Sequence, residues 1–249
     1  MTIKTTYLLL YNALSSTLWL RIFLSVIAIL LSPAPPSTDT SHAPIRTAIN
    51  VYPNLELVTR WTQTLAIAEI LHAATGLTRA PVTTTFTQVF TRCVQVWAVN
   101  YQHPEPTASS PAYAALLLAW SAADAVRYAY FGFLLAGMSV HVVKWLRYSL
   151  FIVLYPVGIG SEWWLMYKAA AATANPVGAG VFYFCLVLYV PGAFMMYSYM
   201  LKQRRKALKH QYKATSYSNT IGYRYAQNQN TYIMTTKGQS DVHIVENER

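Results

Sequence analysis

The chain has 249 residues, 54% of them hydrophobic and 11% charged, against about 25% charged in an ordinary soluble domain. So little charge cannot cover a water-facing surface of this size, and the apolar content is too high for disorder. Two cysteines exclude both a disulfide scaffold and a Cys-rich metal domain.

An apolar helix of about 20 residues crosses a ~30 Å hydrocarbon core. The first such stretch is Tyr7–Leu31, which is longer than the apolar region of a cleaved signal peptide and reads as a retained span despite Arg21. Ser32–Pro53 follows as a Pro-, Ser- and Thr-rich loop. Leu55–Leu77 is a weaker second span that carries Arg60, Glu69 and His72. Val82–Tyr101 is the third, Thr-rich, with Gln88, Arg92 and Gln95. Gln102–Pro111 reads as a loop, and Ala112–Ala136 as the fourth span, with Asp124 and Arg127. A connection over Gly137–Lys144 leads to the fifth, Trp145–Met166. The turn Asn175-Pro176 precedes the sixth, Val177–Leu201. The predicted fold class is therefore all-α: a polytopic membrane protein with about six transmembrane helices in a bundle, over residues 1–206, and a disordered polar C-terminal tail, 207–249. Four spans, with segments two and three dipping shallowly, is the alternative.

The net charge of +10 is unevenly spread: residues 202–249 hold 9 basic and 3 acidic residues, and residues 1–201 hold 10 and 6. The cluster Lys202, Arg204, Arg205, Lys206 and Lys209 directly follows an apolar run, so it reads as a juxtamembrane patch facing anionic lipid rather than a nucleic-acid surface. With six spans both termini share a side. A cytosolic N-terminus places Lys4, Arg79, Lys144, Arg147 and the nine basic tail residues in the cytosol, against Arg46 and Lys168 opposite.

Charge at membrane depth is costly and usually faces a partner or a cavity. Glu69, Gln88, Arg92, Asp124, Arg127, Arg147 and Glu162 form such a set. Structural pairing, Glu69 with Arg92 and Asp124 with Arg127, competes with a functional cavity as their explanation; the second pair is three apart on one helix. In LFIVLYPVGIGSEWW, residues 150–164, Pro156, Gly158 and Gly160 interrupt an apolar span. Tyr155 and Glu162 flank this interruption. Seven residues is about 20° short of two turns and a rise of ~10.5 Å, so the pair shares a face. A phenol and a carboxylate around one bound group are an acid/base pair; a snorkelling Tyr and an interfacial Glu give the same spacing. The six His lack H-x-x-H or H-x-x-x-H spacing, and G-x-S-x-G, P-loop and G-x-G-x-x-G motifs are absent.

Trp145-Leu146-Arg147-Tyr148, followed by Tyr155-Pro156-Val157-Gly158 and Glu162, resembles the signature of the very-long-chain (3R)-3-hydroxyacyl-CoA dehydratases, the protein-tyrosine-phosphatase-like A family. Further matching pieces occur in order: YNALSSTLW at Tyr11–Trp19, Glu69 in AIAEILHAATGLTRAP, TTFTQVFTR ending at Arg92, LLLAWSAADAVRY at Leu116–Tyr128 and YVPG at Tyr189–Gly192. The resemblance covers roughly residues 7–206. It implies an endoplasmic reticulum membrane enzyme with both termini cytosolic, catalysing loss of water from 3-hydroxyacyl-CoA in fatty-acid elongation. It also implies no cofactor and no metal. Its implied partners are the acyl-CoA substrate, membrane lipid and the other elongation enzymes (condensing enzyme, ketoacyl reductase and enoyl reductase), with no nucleic acid.

The family's catalytic pair falls on Tyr155 and Glu162, and its other functional positions on Glu69, Gln88, Arg92, Arg127, Arg147 and Gly158. Glu162 as base and Tyr155 as acid is the first allocation; the reverse stays open. Arg92, Arg127 and Arg147 are expected either to hold Glu162 ionised or to bind CoA phosphates, Arg147 being better placed for phosphate. The chain departs from the family pattern at Asp124, where Glu is usual, and in ending without a dilysine signal. A silent scaffold of the same fold and a small transporter are the competing functions. Retention of Tyr155 with Glu162 argues against the first, and the single interrupted helix against the second.

Overall fold

The computed structural model describes residues 2–32 and 47–205, and all regular structure among them is helical. The expected polar tail from 207 onward and most of the Ser32–Pro53 segment lie outside the described residues. Helix α1 is Ile3–Leu31, started by the Thr2 hydroxyl accepting from the Thr5 amide at 3.3 Å. Helices α2, Val51–Leu65, and α3, Ile67–Ala74, meet at Ala66. Helix α4, Val82–Val94, passes directly into a π-helical stretch, Gln95–Tyr101. The short α5, Pro104–Ala108, precedes α6, Ala112–Leu135. Helices α7, His141–Ser149, and α8, Phe151–Ala172, are bent by 44° at their junction. The last, α9, is Pro176–Arg205. The chain divides into units 1–197 and 198–249, and all that follows concerns the first.

Three boundaries differ from the sequence reading. Helix α2 begins at Val51, so Pro53 lies inside its first turn, where its missing N–H would have had no helical partner anyway. The segment 102–111, expected as loop, holds α5, again opened by a proline. The interruption of the fifth span lies at Leu150, not at Pro156–Gly160, and α8 runs through Pro156 unbroken. A proline leaves the carbonyl four residues earlier without its donor and presses on it. That carbonyl is Ile152, so the distortion is relieved upstream of Pro156. At the other end of α6 the chain stops cleanly. Gly137 takes φ +75, its amide reaches the Leu134 carbonyl at 3.1 Å, and Met138 reaches Phe133 at 2.9 Å. This is a Schellman motif, which calls for glycine at that position.

The core is built on α1, α6 and α8. Tyr11, Ser15, Trp19, Ile22 and Val26 form the buried stripe of α1 at spacings of three and four. It packs on the Tyr113, Leu117, Trp120, Asp124 and Tyr128 stripe of α6, and Ser16 donates to the Ala125 carbonyl at 3.0 Å. Helix α6 also packs on α8, with Ala119 and Trp120 against Gly158.

Large apolar side chains also cover the outside. Leu10, Leu24, Val153, Val187 and Phe194 are all exposed. Water-soluble monomers do not present apolar faces on this scale, and the molecule is a helical membrane protein. Helices α1 and α9 are each long and apolar enough to cross a bilayer, and the bent α7–α8 pair would make a third crossing.

Candidate active site

Helix α8 turns Gly158, Ser161, Glu162, Leu165 and Met166 inward. Glu162 is 7% exposed, and each of its carboxylate oxygens has a donor. The Trp120 indole N–H donates to Oε1 at 2.6 Å, and the Tyr189 hydroxyl donates to Oε2. Gly158, one turn before Glu162, lets α8 approach α6: a β-carbon there would lie 3.5 Å from the Ala119 Cβ and 3.7 Å from the Trp120 Cδ1. Tyr155 is half-buried on the same side of α8 as Glu162. Its hydroxyl donates to the Ala193 carbonyl at 3.2 Å, and its ring stacks on Tyr197 with centroids 5.7 Å apart. Tyr155 thus meets α9 at Ala193, and Glu162 meets it one turn earlier at Tyr189, as antiparallel helices require. The two expected catalytic residues share the α8 face that looks onto α9.

Four further charges form one closed cluster. Arg127 Nη1 and Nη2 grip Glu69 in a bidentate pair at 2.9 and 3.1 Å, and its Nε donates to Asp124 Oδ1 at 3.0 Å. The other oxygen of Asp124 meets Arg92 Nη1 at 2.6 Å. The Tyr128 and Tyr11 hydroxyls also donate to Glu69. Two acids balance two bases, so the cluster carries no net charge into the apolar interior. Asp124 serves both arginines, one carboxylate oxygen to each. The pairing differs from the sequence reading, which joined Glu69 to Arg92. Arg127 takes Glu69, and Arg92 takes Asp124.

Arg92 and Arg127 therefore do not ion-pair with Glu162. Arg92 approaches it indirectly, its guanidinium carbon 3.9 Å from the Trp120 ring centroid on one side and 5.4 Å from Trp19. Arg147 lies on α7 over Phe131 and Tyr130, at 4.7 and 5.4 Å, and makes no ion pair among the described residues. Gln88 is exposed on α4, one turn before Arg92, and is not brought to either cluster. A cavity of about 140 Å³ near Arg147 is lined by Tyr130, Phe133, Met138, Val143 and Lys144. Among the described residues no group of three or more His, Cys, Asp or Glu is placed to hold a metal.

Sequence reasoning singled out neither Trp120 nor Tyr189, although both lie in motifs that carry the resemblance. A signal for Trp120 was present: Trp120, Asp124 and Tyr128 recur at i, i+4 and i+8, which places all three on one helix face. Tyr189 had no local signal, since its partner lies on another helix. A second buried pair also went unread: Arg60 meets Glu56 at 3.0 Å and lies 3.8 Å from the Tyr101 ring centroid.

The model of the family described as protein tyrosine phosphatase-like protein, PTPLA, matches residues 63–210. A Schizosaccharomyces pombe protein named probable very-long-chain (3R)-3-hydroxyacyl-CoA dehydratase is 35% identical, over 83% of this chain and 95% of its own length. Arabidopsis thaliana PASTICCINO 2, named a dehydratase of the same kind, is 34% identical over 83% of this chain and 94% of its own. Human very-long-chain (3R)-3-hydroxyacyl-CoA dehydratase 2 is 30% identical over 84% of this chain and 83% of its own. No solved structure matches the chain. These matches agree with the ordered motifs and with a helical membrane fold, and the chain belongs to the very-long-chain (3R)-3-hydroxyacyl-CoA dehydratase family, PTPLA.

Proposed function

We propose that this chain converts (3R)-3-hydroxyacyl-CoA to trans-2-enoyl-CoA in the third step of very-long-chain fatty-acid elongation, with Glu162 and Tyr155 as the acid/base pair. The observation that carries the assignment is Glu162 itself. It is a buried carboxylate that makes no ion pair among the described residues and is held by two neutral donors. A structural ion pair would use a counter-charge, as Glu69 and Asp124 do.

In the proposed reaction Glu162 takes the proton from C2. The C2–H electron pair becomes the second bond of C2=C3, and the C3–O bond breaks. The departing hydroxyl takes the Tyr155 proton and leaves as water. Return of the proton from Glu162 to the Tyr155 oxygen restores the enzyme. Proton transfers of this kind contribute typically 10²–10⁴-fold each. Arg147, basic and without an acidic partner among the described residues, is the proposed contact for a CoA phosphate.

The proposed setting is the endoplasmic reticulum membrane, with both termini cytosolic and six crossings made by α1, α2–α3, α4 with its π-helical extension, α6, α7–α8 and α9. The charge asymmetry of the connecting segments supports that orientation. Condensing enzyme, ketoacyl reductase and enoyl reductase are the proposed partners, because they make the substrate and consume the product. The test is the purified full chain in detergent, supplied with (3R)-3-hydroxyacyl-CoA and followed by chromatography of the CoA esters. Accumulation of enoyl-CoA is expected. Folded protein that forms none would refute the proposal.

A further inference from the structure

The charge cluster and Glu162 do not touch, yet one side chain meets both. Trp120 takes the Arg92 guanidinium against its ring at 3.9 Å and gives its N–H to Glu162 at 2.6 Å. We infer that Trp120 is a positioning residue through which the Glu69–Arg127–Asp124–Arg92 cluster acts on Glu162, anchoring Oε1 so that Oε2 is the oxygen that takes the C2 proton. The inference rests on the reading of Glu162 as the base.

First, the cluster fixes the cation. Arg92 is held at 2.6 Å by Asp124, Asp124 at 3.0 Å by Arg127, and Arg127 by both oxygens of Glu69. Second, a cation over an indole face draws on its π density. The N–H at the ring edge is left more positive and donates more strongly to an anion. Third, the two donors on Glu162 differ in kind. An indole N–H donates only, whereas a phenol donates or accepts and its O–H rotates. Trp120 is buried, wedged between α6 and the Gly158 turn of α8. Tyr189 is only half-buried, on α9. The Trp120 bond is the fixed one, and the Tyr189 bond is the one an arriving substrate displaces. A carboxylate free to rotate presents either oxygen, and one anchored at Oε1 presents Oε2 alone.

The test uses the full-length chain in detergent micelles. Trp120→Phe keeps an aromatic ring beside Arg92 and the Gly158 turn, and removes the N–H together with the rest of the bicyclic indole. The expected result is a kcat roughly 10- to 100-fold lower, from loss of a hydrogen bond to a charged group, with KM for the acyl-CoA within about threefold of wild type. A loosened fold alone would not separate kcat from KM in this way. The second measurement needs no Trp120 variant. Tryptophan carrying ¹⁵N in the indole is placed at position 120, and its N–H resonance is followed in otherwise wild-type protein, in Glu162→Gln and in Arg92→Lys. Both substitutions are expected to move it upfield. A Trp120→Phe enzyme with wild-type kcat, or a resonance indifferent to both substitutions, overturns the inference. Full turnover in Glu162→Gln defeats instead the base assignment beneath it. An inactive Glu162→Gln beside a fully active Trp120→Phe defeats the positioning role alone.

Discussion

Gly158 separates a requirement for glycine from a requirement for smallness. Its φ is not in the left-handed region, so the backbone does not demand glycine. What matters is the space between α8 and α6. An alanine Cβ would meet Ala119 Cβ at 3.5 Å and Trp120 Cδ1 at 3.7 Å, both ordinary van der Waals distances. Gly158→Ala therefore fits. It gains helix propensity of about 0.8–1 kcal/mol and fills a contact without displacing the indole. The expected outcome is an unchanged or slightly higher Tm and turnover within about threefold of wild type. Gly158→Leu is different. Its next carbons extend a further ~1.5 Å per bond, into space that Ala119 and Trp120 already occupy. Overpacking of this kind costs typically 1–3 kcal/mol, and the most direct relief is to push Trp120 away from Glu162. Turnover is expected to fall at least tenfold, since every ~1.4 kcal/mol lost in the transition state is a factor of ten. The assay pairs thermal unfolding in detergent with initial rates of enoyl-CoA formation. A folded but inactive Gly158→Ala protein, or a Gly158→Leu protein with wild-type turnover, would refute the packing argument.

Three further outcomes follow from the same geometry. Arg127→Ala leaves Glu69 without its ion-pair partner and Asp124 with only Arg92, so unfolding is expected to become easier by about 3–5 kcal/mol; Arg127→Lys recovers little of this, because lysine cannot reproduce the bidentate grip, and equal stability of the two variants and wild type in a detergent melt contradicts the pairing. Asp124→Glu adds a methylene between contacts already at 2.6 and 3.0 Å; the expected cost is about 1–3 kcal/mol, and a more stable variant would show that the cluster has room the geometry denies it. Arg147→Ala removes no ion pair among the described residues, so Tm is expected to hold while KM for acyl-CoA rises severalfold and its salt dependence weakens; an unchanged KM would remove the phosphate role.

What was legible in the sequence was the inventory, and what was not was the pairing. Low overall charge made each intramembrane charge conspicuous, and Glu69, Arg92, Asp124, Arg127 and Glu162 all stand out on that ground. The Asp124–Arg127 contact was also readable, because residues three apart on a helix meet whatever the rest of the fold does. Glu69 and its partner Arg127 lie on different helices, and which arginine reaches Glu69 depends on the rotation of α3, α4 and α6 about their axes. No local pattern encodes that rotation. The same reason hid the Tyr189 contact to Glu162. Trp120 was hidden differently, since an intramembrane tryptophan reads as packing until its N–H is seen to meet a carboxylate. The helix break was misplaced because Pro156 marks the cause of the strain, and the backbone yields at Leu150, nearly two turns upstream of it.

The polar second and third segments show a related limit. Helices α2 to α4 carry Arg60, Glu69, Arg92 and many threonines, and none of them is long and apolar enough to count as a crossing by length and hydropathy. Several of those threonines return their hydroxyls to the carbonyl four residues earlier, among them Thr64, Thr85, Thr87 and Thr91. A hydroxyl satisfied in this way costs far less in an apolar medium than an unpaired one.

The central claim is that Glu162 performs the proton transfer, and its most direct test is the turnover of purified Glu162→Gln. Glutamine has nearly the same shape and can still accept from Trp120, but it cannot take a proton from C2. The account predicts a folded protein with wild-type Tm within a few degrees that forms trans-2-enoyl-CoA at a rate ~10²–10⁴-fold below wild type. Turnover at the wild-type rate would contradict it.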